Sequence, residues 1–381
     1  MSYLAINQIN FFGTGKCNKF SLLLVIWSLV SGCNENIEDK RSPLKSLGDT
    51  AGNYEKPSKN NVIDFPDAHA PKKSFQQEWW YLTANLTTED GDGLATQWTL
   101  FRRSVEDKHW YFAHAALADA NEHQSAFRSA REELGNLVIN TEPFTAKIDD
   151  WQWQSSKALL PATLRYGDFI ALDDFEGQEQ TSKWQVKLNL TTELDATSSR
   201  GYFLQGQQGF SQKHHKLDIS SHYYSQPFIN VSGEVYWQSK WQKVIGKAWF
   251  DREWGSQMLA DDQEGWDWFS LRLNEYTALM VYRIRSNEKD YLYGSVMRRD
   301  GSIKTLSSSD IVLQNNSSIA SGGRYPDSFT IKIAQESIDI DVNVINKKQI
   351  MRFGIEYFEG MVTFQGSHQG QGFLEMTGYE K

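Results

Sequence analysis

Recurring period-two alternation, a surplus of β-branched and aromatic residues and a shortage of helical patterns predict an all-β chain, built as barrels or sandwiches. The alternation is read in QWTLFRRS (Gln97 to Ser104), KWQVKLNLTT (Lys183 to Thr192), NVSGEVYW (Asn230 to Trp237), FTIKI (Phe329 to Ile333) and IDIDVNVI (Ile338 to Ile345). Each run is bounded by Gly, Asn, Asp or Ser, residues that turn a chain more readily than they extend it. The best helical candidate is short, AFRSAREEL from Ala126 to Leu134. With 381 residues the chain is long enough for two domains that each bury a core.

The first residues are of a different kind. Lys16 and Lys19 precede an apolar run from Phe20 to Val30 that ends in VSGC, Val30 to Cys33. A basic start, a short apolar stretch and small residues before a cysteine predict a lipoprotein signal peptide over residues 1–32, with lipidation at Cys33. The alternative is an ordinary signal peptide cut near Gly32 that leaves Cys33 unmodified. The run is far shorter than the roughly 20 apolar residues that a spanning helix needs. Asn34 stands where an Asp would mark retention at the inner membrane, so the expected location is the outer membrane of a bacterial envelope, facing the periplasm. Residues 33–62 are polar and mixed in charge, with Pro43, Gly48, Gly52 and Pro57 among them, and are expected to form a flexible tether. A coil of about 29 residues would span roughly 30 Å.

Composition excludes several chemistries. The two cysteines are Cys17, inside the leader, and Cys33 at its end, so the mature chain has no thiol for a disulfide, a zinc site or a nucleophile. Losing the leader removes Lys16 and Lys19 and no acid, which moves the formal charge from −9 to −11. Nucleic acid is a poor partner for such a chain. The histidines show no metal-ligand spacing, and there is neither a Gly-rich phosphate loop nor a Gly-x-Ser-x-Gly elbow. No cofactor or metal is expected.

After the tether, the domain boundary is expected near YYSQPFINVSG, Tyr223 to Gly233, where Pro227 breaks a strand. This divides the remainder into residues 63–227 and 228–381. QEWWYLTANL (Gln77 to Leu86) and DREWGSQML (Asp251 to Leu259) form a faint echo between the two halves. Strand parity puts Trp151 with Trp153 and Trp266 with Trp268 on one face each, and points Trp79 and Trp80 opposite ways. Most tryptophans are expected to fill core; Trp266 and Trp268, with Glu253, are candidates for a pocket.

Polar groups at the same level occur in GKAWFDREWG, Gly246 to Gly255. Trp249, Asp251 and Glu253 share one strand face, and Phe250, Arg252 and Trp254 the other. If the first face looks into a barrel, Asp251 sits beside an indole in low dielectric, desolvation raises its pKa, and a neutral acid able to protonate a substrate results. The competing reading is a structural charge in a network that closes the barrel end, with Arg252 pairing across strands. Upstream, His222 and Tyr224 share a face; the His can hold or orient a water, or be a satisfied structural residue.

FPDAHAPKKSFQQEWWYLTANL (Phe65 to Leu86), FAHAALAD (Phe112 to Asp119), YYSQP, VIGKAWFDREWGSQML (Val244 to Leu259), GWDWFSLRL (Gly265 to Leu273) and GQGFLEMTGY (Gly370 to Tyr379) together resemble the AttH and carotenoid 1,2-hydratase family. The resemblance covers essentially all of Phe65 to Tyr379. It implies two tandem lipocalin-like β-barrel domains, usually exported, often encoded beside transporters of the lipoprotein-release type. It also implies relatives that add water to a prenyl double bond, and cyclases of related fold. The hydratase branch has as its active residues a His, an aromatic two residues on, and later an aromatic and an Asp two residues apart. Carried over by position, these fall on His222, Tyr224, Trp249 and Asp251. The implied chemistry is protonation of an alkene by Asp251, stabilisation of the cation by Trp249 and Tyr224, and deprotonation of water by His222, without a cofactor. Phe228 stands where many relatives have Arg, and Phe373 and Met376 where they have Tyr and Leu. An envelope location argues against inheriting a carotenoid as the substrate.

The function expected is therefore binding of an apolar molecule, of the isoprenoid or lipid kind, in a lipocalin-like barrel, with Asp-initiated hydration or cyclisation. Alternatives are a non-catalytic carrier working with an ABC-type transporter, and a glycan binder or hydrolase.

Overall fold

The computed structural model describes residues 47–48, 52–105, 108–168, 183–195, 201–317 and 324–379. The predicted signal peptide and Cys33 lie outside the described residues. Strand dominates, in two antiparallel sheets, and helix is confined to single turns such as Asp67–His69, Glu132–Leu134 and Ala334–Glu336. The prediction of an all-β chain with two barrels in tandem holds.

With strands numbered in chain order, the first sheet runs β4 (His123–Arg131), β3 (Lys108–Ala118), β2 (Gly93–Val105), β1 (Gln77–Thr88), β13 (Lys240–Gly255) and β12 (Ser220–Trp237). It continues through β9 (Trp184–Thr191), β8 (Ala162–Asp168), β7 (Trp151–Ser155), β6 (Phe144–Ile148) and β5 (Leu137–Thr141), with β10 (Phe203–Leu204) and β11 (Phe210–Gln212) added against β12. The sheet curls into a nearly closed barrel. Arg128 of β4 helps to close it, binding Asp150 from Nε to Oδ1 at 2.8 Å and laying its guanidinium 4.9 Å from the ring centre of Trp151. Trp80, Trp98, Trp151, Trp153 and Trp184 point inward and are buried. Each such indole contributes a few kcal/mol, at about 25 cal/mol per Å² of apolar surface removed from water.

The second sheet is a half-barrel. Its order is β17 (Ile303–Leu306), β16 (Tyr291–Arg298), β15 (Thr277–Ser286), β14 (Gln263–Arg272), β23 (Gly370–Thr377), β22 (Ile355–Gly366), β20 (Ile338–Val344), β19 (Ser328–Ile333) and β18 (Val312–Asn315), with β21 (Ile350–Phe353) against β22. Phe269, Leu271, Val281, Phe329, Ile331 and Val342 fill its concave side. A third apolar cluster is drawn from the outer faces of both sheets: Tyr81, Tyr223 and Trp249 from the first, and Trp268, Met280 and Phe373 from the second.

Four expectations are corrected. The change of sheet comes between Gly255 and Gln263, whereas the expected boundary at Pro227 falls inside β12. Pro227 does not end the strand because it sits in a β-bulge between Gln226 and Ile229, where its missing N–H costs no ladder bond. Arg272 donates to the carbonyl of Pro227 and, at 3.2 Å, to that of Ala248. The helical candidate is strand as far as Arg131, paired so that Ala126 meets Ala115 and Ala130 meets Tyr111. Its alanines four apart suit a helix face, but four is also an even number, and an available strand partner decides the matter. The described end of the expected tether is packed on the first barrel. The Leu47 carbonyl accepts from Gln77 Nε2 at 2.9 Å and from the Met258 N–H at 3.1 Å, and the Glu55 N–H donates to the Ser74 carbonyl at 2.9 Å. Finally, the two stretches that echo one another are bonded neighbours in one sheet, Gln77 opposite Gly255 and Tyr81 opposite Asp251, rather than equivalents in two barrels.

Beneath those neighbours lies a buried ion triad. Glu78 accepts from Arg102 Nε on one oxygen and from Arg252 Nη2 on the other, and all three side chains are without solvent exposure. The Lys72 N–H adds bonds of 3.0 and 2.9 Å to the same carboxylate. Burial pushes the Glu78 pKa up, but Arg252 and Arg102 together outweigh it and hold the carboxyl below its ordinary value. The Arg252 guanidinium also lies 3.9 Å from the ring centre of Trp80. This is the cross-strand pairing of Arg252 that the sequence allowed. Glu78→Gln leaves two buried guanidiniums without their anion and is expected to cost about 3–5 kcal/mol in urea unfolding. Asp339→Asn, which breaks a 2.9 Å pair with Lys332 on the surface, is expected to leave the midpoint unchanged. Equal losses in the two variants would remove the triad from its structural role.

Candidate active site

Parity on β13 decides what lies outside the first barrel. Phe250 and Trp254 join the barrel core with Arg252 between them, so Trp249, Asp251 and Glu253 face the second sheet. Pairing then extends this face into a cross-strand row: His114 on β3, Thr99 on β2, Tyr81 on β1, Asp251 on β13 and Ser225 on β12. At about 4.8 Å per strand the row is roughly 19 Å long. Opposite it, β22 brings Tyr357 over His114, with hydroxyl and Nδ1 2.8 Å apart, and Glu359 over Tyr81, whose hydroxyl donates to it.

Between the two faces is a cavity of about 760 Å³. Trp79, Tyr81, Phe101, Trp266, Trp268 and Tyr282 supply much of its aromatic wall. The expected pocket lay within one barrel; this cavity lies between the two. Among the described residues both interiors are packed with apolar side chains, and this cavity lies where two outer faces meet, its lining also including Glu78, Arg102 and Tyr111 from the first barrel's inner face.

Asp251 is held from two sides. Trp249 Nε1 donates to Oδ1 at 2.8 Å and the Tyr223 hydroxyl to Oδ2 at 2.7 Å, while Trp268 Nε1 donates to the Tyr223 oxygen at 3.2 Å. Desolvation raises the Asp251 pKa to about 7 against the opposing hydrogen bonds from Ser225, Tyr223 and Trp249, and the Glu253 charge raises it further. Glu253 pairs with Lys213 at 2.7 Å and accepts from the Ser221 hydroxyl. On the second sheet, Glu375 accepts from Trp266 Nε1 at 3.1 Å. Burial raises its pKa to about 8, with Glu253 and Asp251 adding to the rise. Loss of solvation, and then the Glu375 charge, push Glu359 well above the ordinary carboxyl value. Near neutral pH such a wall can hold and give protons.

The structure thus gathers Asp251, Glu253, Trp266 and Trp268 at the cavity, with Trp249 behind Asp251 as its hydrogen-bond donor. His222 and Tyr224 are not brought there. They share the barrel-facing side of β12 with Arg252 and Trp254 on β13. The Tyr224 hydroxyl is 2.6 Å from His69 Nδ1; His222 packs 5.5 Å from Trp254 and 5.9 Å from Phe75, and burial lowers its pKa to about 4. The cause is the bulge at Pro227. Beyond it Ile229 pairs with Ala248, and an unbroken count back from there would set His222 and Tyr224 on the face of Asp251. One extra residue reverses the faces and puts Tyr223 and Ser225 beside Asp251 instead.

Tyr81, Tyr223, Glu359 and Glu375 were missed. A usable signal existed for Glu359 and Glu375, since each interrupts an aromatic or aliphatic run, YFEGMV and FLEMT, in a segment otherwise patterned as strand.

The sequence matches the AttH-like family over residues 56–379. The chain belongs to the AttH-like family. It is similar to a crystal structure described as an AttH protein from Nitrosomonas europaea, with 27% identity and a TM-score of 0.71 over 86% of this chain and 100% of that one. Kievitone hydratase from Nectria haematococca is similar at a TM-score of 0.56 and 13% identity, over 85% of this chain and 96% of that one, and shows the shared lipocalin-like fold. No curated protein matches the sequence.

The raised carboxyls of this AttH-like chain make its stability depend on pH in a definite direction. Asp251 moves from 3.8 to about 7 and Glu375 from 4.5 to about 8. The unfolded chain gives up these protons near the lower values while the folded chain keeps them, so their contribution to stability falls as pH rises through this interval and is level outside it. Urea midpoints of wild type and of an Asp251→Asn, Glu375→Gln double variant, compared from pH 4 to 8, are expected to show a shallower decline in the variant. Identical slopes would clear both groups.

Proposed function

We propose that this AttH-like protein binds an apolar small molecule with a C=C bond between its barrels, and that Asp251 starts the chemistry by giving that bond a proton. The carrying observation is the Asp251 carboxyl, buried in an aromatic-walled cavity and raised to about 7, so that an appreciable fraction is neutral at neutral pH. The fold shared with a protein named kievitone hydratase supports an activity of the hydratase class.

Proton transfer from Asp251 to one alkene carbon leaves a carboxylate and a carbocation on the adjacent carbon. The Tyr223 hydroxyl and Trp249 N–H then stabilise the carboxylate through the bonds they already make. The ring faces of Tyr81 and Trp268, perpendicular to one another with centroids 5.3 Å apart, stabilise the cation. Water adds to the cation and gives its extra proton to Glu253, from which the proton returns to Asp251, so that the alcohol leaves with one water gained and the enzyme unchanged. If a second double bond reaches the cation before water does, the same step starts a cyclisation. We further propose that Cys33 carries a lipid anchor and that this chemistry takes place in the bacterial envelope.

Incubation of purified protein with a panel of prenyl alkenes, followed by mass spectrometry for the added water, tests the reading. Asp251→Asn is expected to lower the rate by about 100-fold or more while retaining binding. The wild-type rate is expected to fall as pH rises above about 7, where Asp251 loses its proton. Equal turnover by both proteins would remove Asp251 as the acid, and tight binding without turnover in either would assign a carrier.

A further inference from the structure

The mechanism leaves two buried carboxyls unused. Glu359 on β22 and Glu375 on β23 are direct cross-strand partners, and both line the cavity. Side chains directly opposite on one face of an antiparallel pair have Cβ atoms about 5 Å apart. Like charges at that distance in low dielectric repel strongly, so the pair cannot become a dianion without a cation beside it. Among the described residues, no Lys, Arg or His forms an ion pair with either carboxyl. The groups that face the pair are acidic or neutral: Asp251 and Glu253 of β13, the latter already taken by Lys213, and the hydroxyls of Tyr81 and Tyr357. The cations Arg103 and Lys213 also line the cavity, but neither is among the charges that act on Glu359 or Glu375, and burial keeps the lining His114 neutral by lowering its pKa to about 3.

A second observation points to a ligand. Glu359 is 1% exposed, its Oε1 accepts from Tyr81, and its Oε2 has no hydrogen-bond partner. A buried carboxyl oxygen without a partner is costly, and the cavity is the open side from which a partner can come. The neighbouring surfaces are indole and phenol rings, from Trp266, Trp268 and Tyr81, whose faces attract cations. A metal ion is a poor occupant, because no group of three or more metal-ligating side chains is gathered among the described residues.

We propose that Glu359 and Glu375 form a cation subsite of this cavity, and that its ligand is an apolar molecule bearing a protonated amine. This rests on the reading of the cavity as an apolar ligand site and names the polar end of that ligand. The ammonium group donates to Glu359 Oε2 and to the free oxygen positions of Glu375, while its apolar body lies along the aromatic wall towards Asp251. Its charge allows the pair to ionise, so binding at neutral pH expels protons into the solvent.

Isothermal titration calorimetry at pH 7 with octylamine, octan-1-ol and octanoate separates charge from chain length. Octylamine, protonated at this pH, is expected to bind about tenfold or more tightly than octanol, with octanoate weakest. Its heat is expected to vary with the ionisation enthalpy of the buffer, as proton release requires. Glu359→Gln and Glu375→Gln are expected to lose the preference for the amine and the proton release, and to keep wild-type affinity for octanol. Octanol binding as tightly as octylamine, or unchanged amine affinity in both variants, would overturn the subsite and leave the apolar cavity standing. Failure of all three probes to bind would overturn the cavity reading and the subsite together.

Discussion

The cavity depends on the register of β1 against β13, and Glu78 holds that register. Its carboxylate lies between Arg102 of β2 and Arg252 of β13, inside a barrel whose core is mainly apolar. A slip of one residue along either strand would send every side chain to the opposite face. Three charges would then lose their partners in a site without water, which is far more costly than any packing such a slip could recover. Because Arg252 is committed to the inside, Asp251 is committed to the outside. The ion triad and the candidate acid are therefore two consequences of one strand pairing.

Legibility followed the same division. Within β13 the parity of GKAWFDREWG was readable, and it placed Trp249, Asp251 and Glu253 on a common face correctly because that strand is regular from Lys240 to Gly255. Between β12 and β13 it was not readable. The spacing that brought His222 and Tyr224 into line with Trp249 and Asp251 holds only for an unbroken ladder, and Pro227 breaks it. A proline in a strand signals either a strand end or a bulge, and the two have opposite consequences for the residues before it. Reading it as an end also misplaced the domain boundary. Both corrections trace to Pro227.

The position of the cavity was hidden for a different reason. Tryptophan parity separated Trp79 from Trp80 and joined Trp266 to Trp268, as observed, but could not say which face of a barrel is its inside. In a barrel with one face to solvent, the apolar face is the interior. Here both faces of β1, β2, β13 and β14 are covered, one by the barrel's own core and one by the other sheet, so apolar residues on the two faces look alike in sequence. Glu359 and Glu375 were the readable exceptions, charged residues within runs that pattern as buried strand.

A seam between two closed faces also explains how so much acid is tolerated. Inside the first barrel a carboxylate survives as an ion because two guanidiniums were buried with it. In the seam, among the described residues, Glu253 alone of Asp251, Glu253, Glu359 and Glu375 has a cationic partner, the Lys213 ammonium. Asp251, Glu359 and Glu375 meet tyrosine hydroxyls and indole N–H groups instead, donors that satisfy oxygens without supplying charge. Their remaining route to stability is to keep a proton, which is why the Asp251 and Glu375 pKa values stand near 7 and 8 while that of Glu78 lies below the ordinary carboxyl value. The same residue chemistry thus does opposite things on the two sides of one sheet: paired with arginine it fixes the strands, and paired with aromatic donors it keeps protons at the wall of an aromatic-lined cavity.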